Sequence, residues 1–211
     1  MTPEYWSLIA QGTLMTLWLT LASAVLSLVL GTLLAVMRVA PIPPVRSIAA
    51  SYTEFFRNVP LITVLFFIYF GVPNTGLRLS AVTSAIWGLG LYTAAYVAEV
   101  IRAGLGTVSK GNVEAARSLG LNFLQTLRYV QLPQAIRAAI PPLGTLLIAL
   151  LKNTSLASTI TVAELLFQAD FVGNRTFNPN MLLIAGAIYI ALTLPTGALI
   201  GMVEQRWAIK R

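Results

Sequence analysis

Apolar residues fill this chain in long stretches, each closed by a short polar or proline-rich interval. About 20 mostly apolar residues, rising about 1.5 Å each, are what a helix needs to cross a ~30 Å hydrocarbon core. The pattern predicts a first span over 14–36, with Ala22, Ser23, Ala24, Ser27 and Gly31 as small residues suited to helix packing. Pro41, Pro43 and Pro44 then predict a tight turn, since proline lacks the donor a helix needs. A second element covers 47–70 and is interrupted at Asn58, Val59 and Pro60, and residues 71–76 form an outer loop. The third span is expected over 81–101. The fourth begins near Pro141 and Pro142, passes Leu151 and breaks at Lys152, Asn153, Thr154 and Ser155. An apolar segment over 158–171 carries Glu164 and Asp170, and the fifth span covers 181–203. The expectation is an all-α membrane protein of five transmembrane helices, forming a single domain over 1–211 without internal repeats.

The polar segment over 106–133 has its own local code. Gly120 suits the left-handed position just past a helix end. Asn122 and Gln125 stand three apart, as a helix N-cap and its reciprocal partner do. Two short helices are expected, over 113–119 and 123–130. Both fall below the ~12–15 residues an isolated helix needs in water, so something must hold them.

Composition narrows the class. The chain is 57% hydrophobic and 10% charged, against about 25% charged residues in a soluble domain. It contains neither Cys nor His, which excludes disulfides, thiol catalysis and the usual zinc or haem ligands. The start of the chain has no basic region, so the first span is expected to act as an uncleaved insertion signal. The net charge of +7 does not point to nucleic acid, because of where the charges lie. Arg38, Arg46, Arg102, Lys110, Arg117, Arg128, Arg137, Arg206, Lys210 and Arg211 fall on one set of loops and the tail, while Arg78 and Arg175 fall on the other. That asymmetry predicts an outside N-terminus and an inside C-terminus.

Three further constellations carry candidate chemistry. Glu54 and Arg57 stand three apart and can pair on one helical face, or Arg57 can snorkel to the interface. Tyr92, Tyr96 and Glu99 share a face of the third span, and Glu99 can pair with Arg102. Lys152, Asn153, Thr154 and Ser155 lie about ten residues past Pro142, or ~15 Å along a helix, near the membrane midplane. Polar backbone at that depth survives only against protein or a water-filled cavity. These four residues, with Tyr96 facing them, are the candidate substrate pathway, and a kink satisfied by neighbouring helices is the simpler alternative. No phosphate-binding loop of the Gly-x4-Gly-Lys-Ser/Thr kind is present, so this chain is not expected to hydrolyse ATP itself.

Glu114, Ala115, Ala116, Gly120, Val130, Leu132 and Pro133 match in type and spacing the cytoplasmic "EAA" signature of bacterial ATP-binding-cassette (ABC) importer permeases. The chain resembles, over nearly its whole length, the polar-amino-acid branch of that family. Where similar permeases commonly read Arg-Gly-Thr-Pro-Leu, this chain has Asn58 and Val59 in the second and third places. That variant resembles members carrying acidic amino acids and their amides. Where they often read Lys-Asp-Thr-Ser-Leu, this chain has Asn153, so a carboxylate that would attract a cationic substrate is missing.

The resemblance implies a type I importer fold in the bacterial cytoplasmic membrane. It also implies ATPase coupling through Glu114, Ala115, Ala116, Gly120, Leu132 and Pro133. The implied partners are two ATPase subunits that bind ATP and Mg, a second permease chain, identical or homologous, an extracytoplasmic amino-acid-binding protein, and membrane lipid. It implies alternating access, with glutamate or glutamine as cargo, and no cofactor, metal or active site on this chain. A secondary transporter or channel would carry more intramembrane acids or inverted repeats. A membrane enzyme would need convergent acids, bases or metal ligands.

Overall fold

A computed structural model describes residues 3–207, with side chains through Met202. Arg206, Lys210 and Arg211, which enter the charge asymmetry, lie outside the described side chains. The described chain is almost wholly helical: α1 (Pro3–Val39), α2 (Pro43–Asn58), α3 (Leu61–Phe66), α4 (Ala81–Gly106), α5 (Lys110–Ser118), α6 (Phe123–Thr126), α7 (Leu132–Asn153), α8 (Leu165–Thr176) and α9 (Asn180–Trp207). Four stretches are long and apolar enough to cross a membrane: Pro3–Val39, Ala81–Gly106, Phe123–Ile160 and Asn180–Met202. A fifth arises if Pro43–Asn58 and Leu61–Thr75 count as one broken span.

That second element is broken where expected, at Val59 and Pro60, but by a sharp bend. Its halves meet at 107°. Val59 and Pro60 adopt extended backbone (ψ 136° and 137°), and Pro60 supplies no N–H to carry the helix through. The expected start of the fourth span also needs correction. Pro141 and Pro142 lie inside α7, which begins at Leu132. Nor does 123–130 form a separate short helix. α6 passes through a π-helical turn (Leu127–Gln131) directly into α7, giving one helical path from Phe123 to Ile160.

The bundle is assembled on α1 and α4. The buried face of α1 carries Gly12, Thr16, Thr20, Ser23, Ser27, Gly31 and Ala35, spaced three or four apart. Its opposite face carries exposed Leu14, Trp18, Leu21, Val25, Leu28 and Val29. Small residues thus point inward and large apolar ones outward, the arrangement expected when lipid covers the outer face and backbones must approach closely. α4 answers with Ala85, Gly88, Ala94, Ala95 and Ala98 buried along its length. A Cβ added at Gly31 would stand 2.6 Å from Val97 Cβ and 2.8 Å from the Ala94 carbonyl oxygen.

On the other side of α4, Leu105 packs with Leu127, Ala135 and Ala139. Toward the other end, Leu19, Leu65, Leu89, Leu150 and Ile160 form a second core, and Ile9, Leu165, Val172 and Met181 join α1, α8 and α9.

Gly104 makes the tightest contact with main chain. A Cβ there would lie 2.5 Å from the Ala135 carbonyl oxygen, a backbone atom that cannot swing away. Gly104→Ala is expected to destabilise the protein by about 1–3 kcal/mol through overpacking of α4 on α7, read as a lower thermal midpoint in detergent. Gly111→Ala, whose Cβ meets open space, should leave the midpoint unchanged or higher; equal midpoints for the two variants would show that the contact carries no such load.

Candidate coupling surface and polar break

The turn between α5 and α6 is built by local chemistry. Ser109 caps α5, its Oγ accepting from the Asn112 N–H at 3.3 Å. Gly120 takes φ +80°. Its N–H donates to the Arg117 carbonyl at 2.9 Å and the Leu121 N–H to the Ala116 carbonyl at 3.2 Å, the paired closure of a Schellman end. Asn122 and Gln125 form the expected capping box: the Gln125 N–H donates to Asn122 Oδ1 and the Asn122 N–H to Gln125 Oε1, both at 2.9 Å.

Of the residues assigned to coupling, Glu114 and Ala115 are exposed on α5, while Ala116 is buried beneath them. Leu132 and Pro133 sit in the first turn of α7, with Pro133 exposed. Asn112 Nδ2 donates to Gln134 Oε1 at 3.3 Å and ties α5 to α7. Leu119 and Leu124 flank the turn at 83% and 67% exposure. Two bare leucines beside an exposed carboxylate on a polar turn make a surface whose apolar part is left uncovered by the described residues.

The polar break is a 3-10 segment, Thr154–Ile160, ending at Thr161 with φ +64°. A β-branched residue in that left-handed region is strained. The hydroxyls of the break are turned on their own backbone. Thr154 Oγ1 donates to the Leu151 carbonyl at 2.7 Å, Ser155 Oγ to Lys152 at 2.8 Å and Ser158 Oγ to Ser155 at 2.7 Å. Lys152 is exposed, Asn153 half-buried and Thr154 buried.

Tyr96 does not join this group by any hydrogen bond among the described residues. Its hydroxyl meets Tyr92 Oη at 3.0 Å, and the Arg57 guanidinium lies 5.9 Å from its ring centroid. That placement corrects the expected Glu54–Arg57 pair: no salt bridge joins them among the described residues. The bend at Pro60 brings α2 against α4, and Arg57 turns to the Tyr96 face. The Glu99–Arg102 pair does form. Arg102 Nε donates to both Glu99 oxygens at 3.1 Å, its Nη2 contacts Oε1, and Arg38 Nη2 of α1 stands 3.8 Å from Oε2.

Sequence reasoning missed the node behind the break. Glu164 is fully buried. Its carboxylate accepts from the Leu166 N–H (2.9 Å), the Phe167 N–H (2.8 Å), Tyr189 Oη (2.7 Å) and Thr16 Oγ1 (3.4 Å). Thr16 Oγ1 in turn accepts from the Leu165 N–H at 3.2 Å. The available signal was an acid in an apolar run, which needs a partner by default; its side-chain partners, 25 and 148 residues away, could not be read from spacing.

A recess of about 390 Å³ between α1, α4, α7 and α9 is walled by Leu28, Val97, Leu143, Leu146, Leu150 and Ile200. It offers almost no polar contact, which makes it a poor place for a polar solute. Among the described residues no three His, Cys, Asp or Glu gather as a metal site.

Residues 27–209 match the family described as "Binding-protein-dependent transport system inner membrane component". The chain is 38% identical to the probable glutamine ABC transporter permease protein GlnM of Bacillus subtilis (strain 168), covering 96% of this chain and 94% of that one. It is 42% identical to the glutamate transport system permease protein GluC of Corynebacterium efficiens, covering 99% and 94%. Among solved structures, one described as "Crystal structure of an amino acid ABC transporter with histidines" superposes with a TM-score of 0.88 at 37% identity, over 96% of this chain and 95% of that one. An inward-facing MetNI methionine ABC transporter superposes at 0.83 with 21% identity, over 99% and 100%, and shows the shared type I importer fold. Breadth of match, fold and the EAA turn agree: this chain belongs to the binding-protein-dependent transport system inner membrane component family, as the permease subunit of an amino-acid ABC importer.

Proposed function

We propose that this permease carries glutamate or glutamine inward by ATP-driven alternating access, as one domain spanning 1–211. Two ATPase subunits, holding ATP and Mg, dock at the turn of Glu114, Ala115, Ala116 and Gly120 and at Leu132 and Pro133. A second permease chain, identical or homologous, completes the pathway, and an extracytoplasmic binding protein delivers the amino acid. The N-terminus lies outside and the C-terminus inside the cytoplasmic membrane.

The observation carrying the substrate class is the state of two acids, Glu164 beside the break and Glu99 toward the C-terminal end of α4. Glu164 already accepts four donors and Glu99 is held by Arg102 and Arg38. Neither is free to replace the hydration a cationic side chain loses. Lys152 and Asn153 offer donors that an acidic or amide side chain accepts. The relatives named for glutamine and glutamate support this reading. The similar structure described with histidines sets the competing one, and the assay includes that amino acid for this reason.

Three tests follow from these assignments. A cysteine at position 110 should label only from the cytoplasmic side, and labelling from outside would reverse the topology. Gly120→Val places a β-branched residue at φ +80°, at a cost of about 1–2 kcal/mol. The reconstituted complex should then hydrolyse ATP with uptake reduced at least tenfold, so wild-type coupling in that variant would remove the turn from the mechanism. Asn153→Asp adds a negative charge to the pathway and should cut glutamate uptake about fivefold or more, with glutamine less affected. Unchanged uptake of both would leave specificity to the binding protein, and preferential uptake of histidine or arginine by the wild type would overturn the substrate assignment.

A further inference from the structure

Arg38 in the last turn of α1, Arg46 in the first turns of α2 and Arg102 near the end of α4 converge where the apolar stretches finish. They line two adjoining recesses of about 250 and 290 Å³ that share Arg38 and Arg102. Gln131, Val39 and Leu105 complete one, and Arg46, Ser47 and Ala50 the other. Among the described residues, no acidic one lines either recess. The carboxylate within reach, Glu99, is engaged closely by Arg102 and at 3.8 Å by Arg38. Arg46 is exposed and forms no ion pair among the described residues. Arg38 and Arg102 therefore share one carboxylate while Arg46 stands beside them outside that pairing, leaving a local excess of positive charge beside an apolar shoulder.

We propose that this recess holds the phosphate of an anionic phospholipid headgroup, with Arg46 and Arg38 as its principal donors and the acyl chains against Val39 and Leu105. A basic pocket between membrane helices at the cytoplasmic interface suits such a headgroup, and guanidinium forks match phosphate oxygens. The membrane side rests on the topology proposed above. The chemistry does not, since the recess and its charges are features of the fold.

Native mass spectrometry of the purified transport complex counts retained lipid after titration with dioleoyl phosphatidylglycerol or dioleoyl phosphatidylcholine. Phosphatidylglycerol should be retained preferentially. Arg46→Gln should weaken that retention about fivefold, while Arg46→Lys, which keeps the charge, should restore most of it. Arg78→Gln, in the loop before α4, should change nothing. Equal retention of the two lipids, wild-type retention in Arg46→Gln, or displacement of the lipid by inorganic phosphate at matched concentration would each overturn the proposal, the last by identifying free phosphate as the occupant. Uptake does not enter this readout, so failure of the import reading would leave the lipid count unaffected.

Discussion

The carboxylate of Glu164 is the interaction on which the interior of this bundle depends. Within a membrane, irregular backbone has no water to satisfy its polar groups. The chain nonetheless leaves regular helix at Thr154 and regains it only at Leu165. Glu164 makes that excursion possible by capping α8 through two N–H groups while taking hydroxyls from α1 and α9. Thr16 closes the circuit, donating to Glu164 and accepting from the Leu165 N–H. Close approach of α1 is a precondition, and Gly12 supplies it: a Cβ there would stand 3.0 Å from the Glu164 carbonyl oxygen. Loss of one partner would strand a buried acceptor, a cost of about 1–3 kcal/mol or more for a charged group.

One continuous helical path joins the turn at Gly120 to the break at Thr154. From Phe123 the helix passes through the π turn and both prolines to Asn153, about 46 Å at 1.5 Å per residue. Gly120 lies just before one end and Thr154 just after the other. α4, packed on α7 at Gly104 and Ala135, supports the rod along its flank. Under the proposed cycle, a displacement imposed on α5 and the turn therefore needs no relay of side chains to reach the break. Under the proposed docking, the exposed Leu119 and Leu124 on either side of the turn would face the ATPase partner, since α5 itself packs on 123–131.

What could be read from the sequence was local. The Gly120 turn and the Asn122–Gln125 box were legible because each is settled by residues within five positions. The Glu99–Arg102 pair was legible for the same reason, although Arg38 was not foreseen as its third member. Glu54 and Arg57 had the right spacing and still did not pair, because a tertiary partner competes: the 107° bend delivers Arg57 to Tyr96. Pro141 and Pro142 misled because proline is a sound stop signal in water but is tolerated within membrane helices, where neighbouring groups satisfy the freed carbonyls. The Glu164 node was invisible because its contacts join α1, α8 and α9, and spacing along a chain carries no information about that closure.

Charge placement then bears on cargo. Among the described residues the buried and half-buried carboxylates are already engaged: Glu164 as a four-donor acceptor, Glu99 in a clamp between two arginines. Asp170 is exposed and accepts from Asn174 at 3.1 Å on α8, away from the break. If the pathway runs past Thr154 as proposed, a cationic side chain there would find Glu164 already engaged by four donors. An acidic or amide side chain meets Lys152 and Asn153 without that conflict. Under the proposed reading, discrimination would arise less from a dedicated recognition group than from the commitment of Glu164 and Glu99 to holding the helices together.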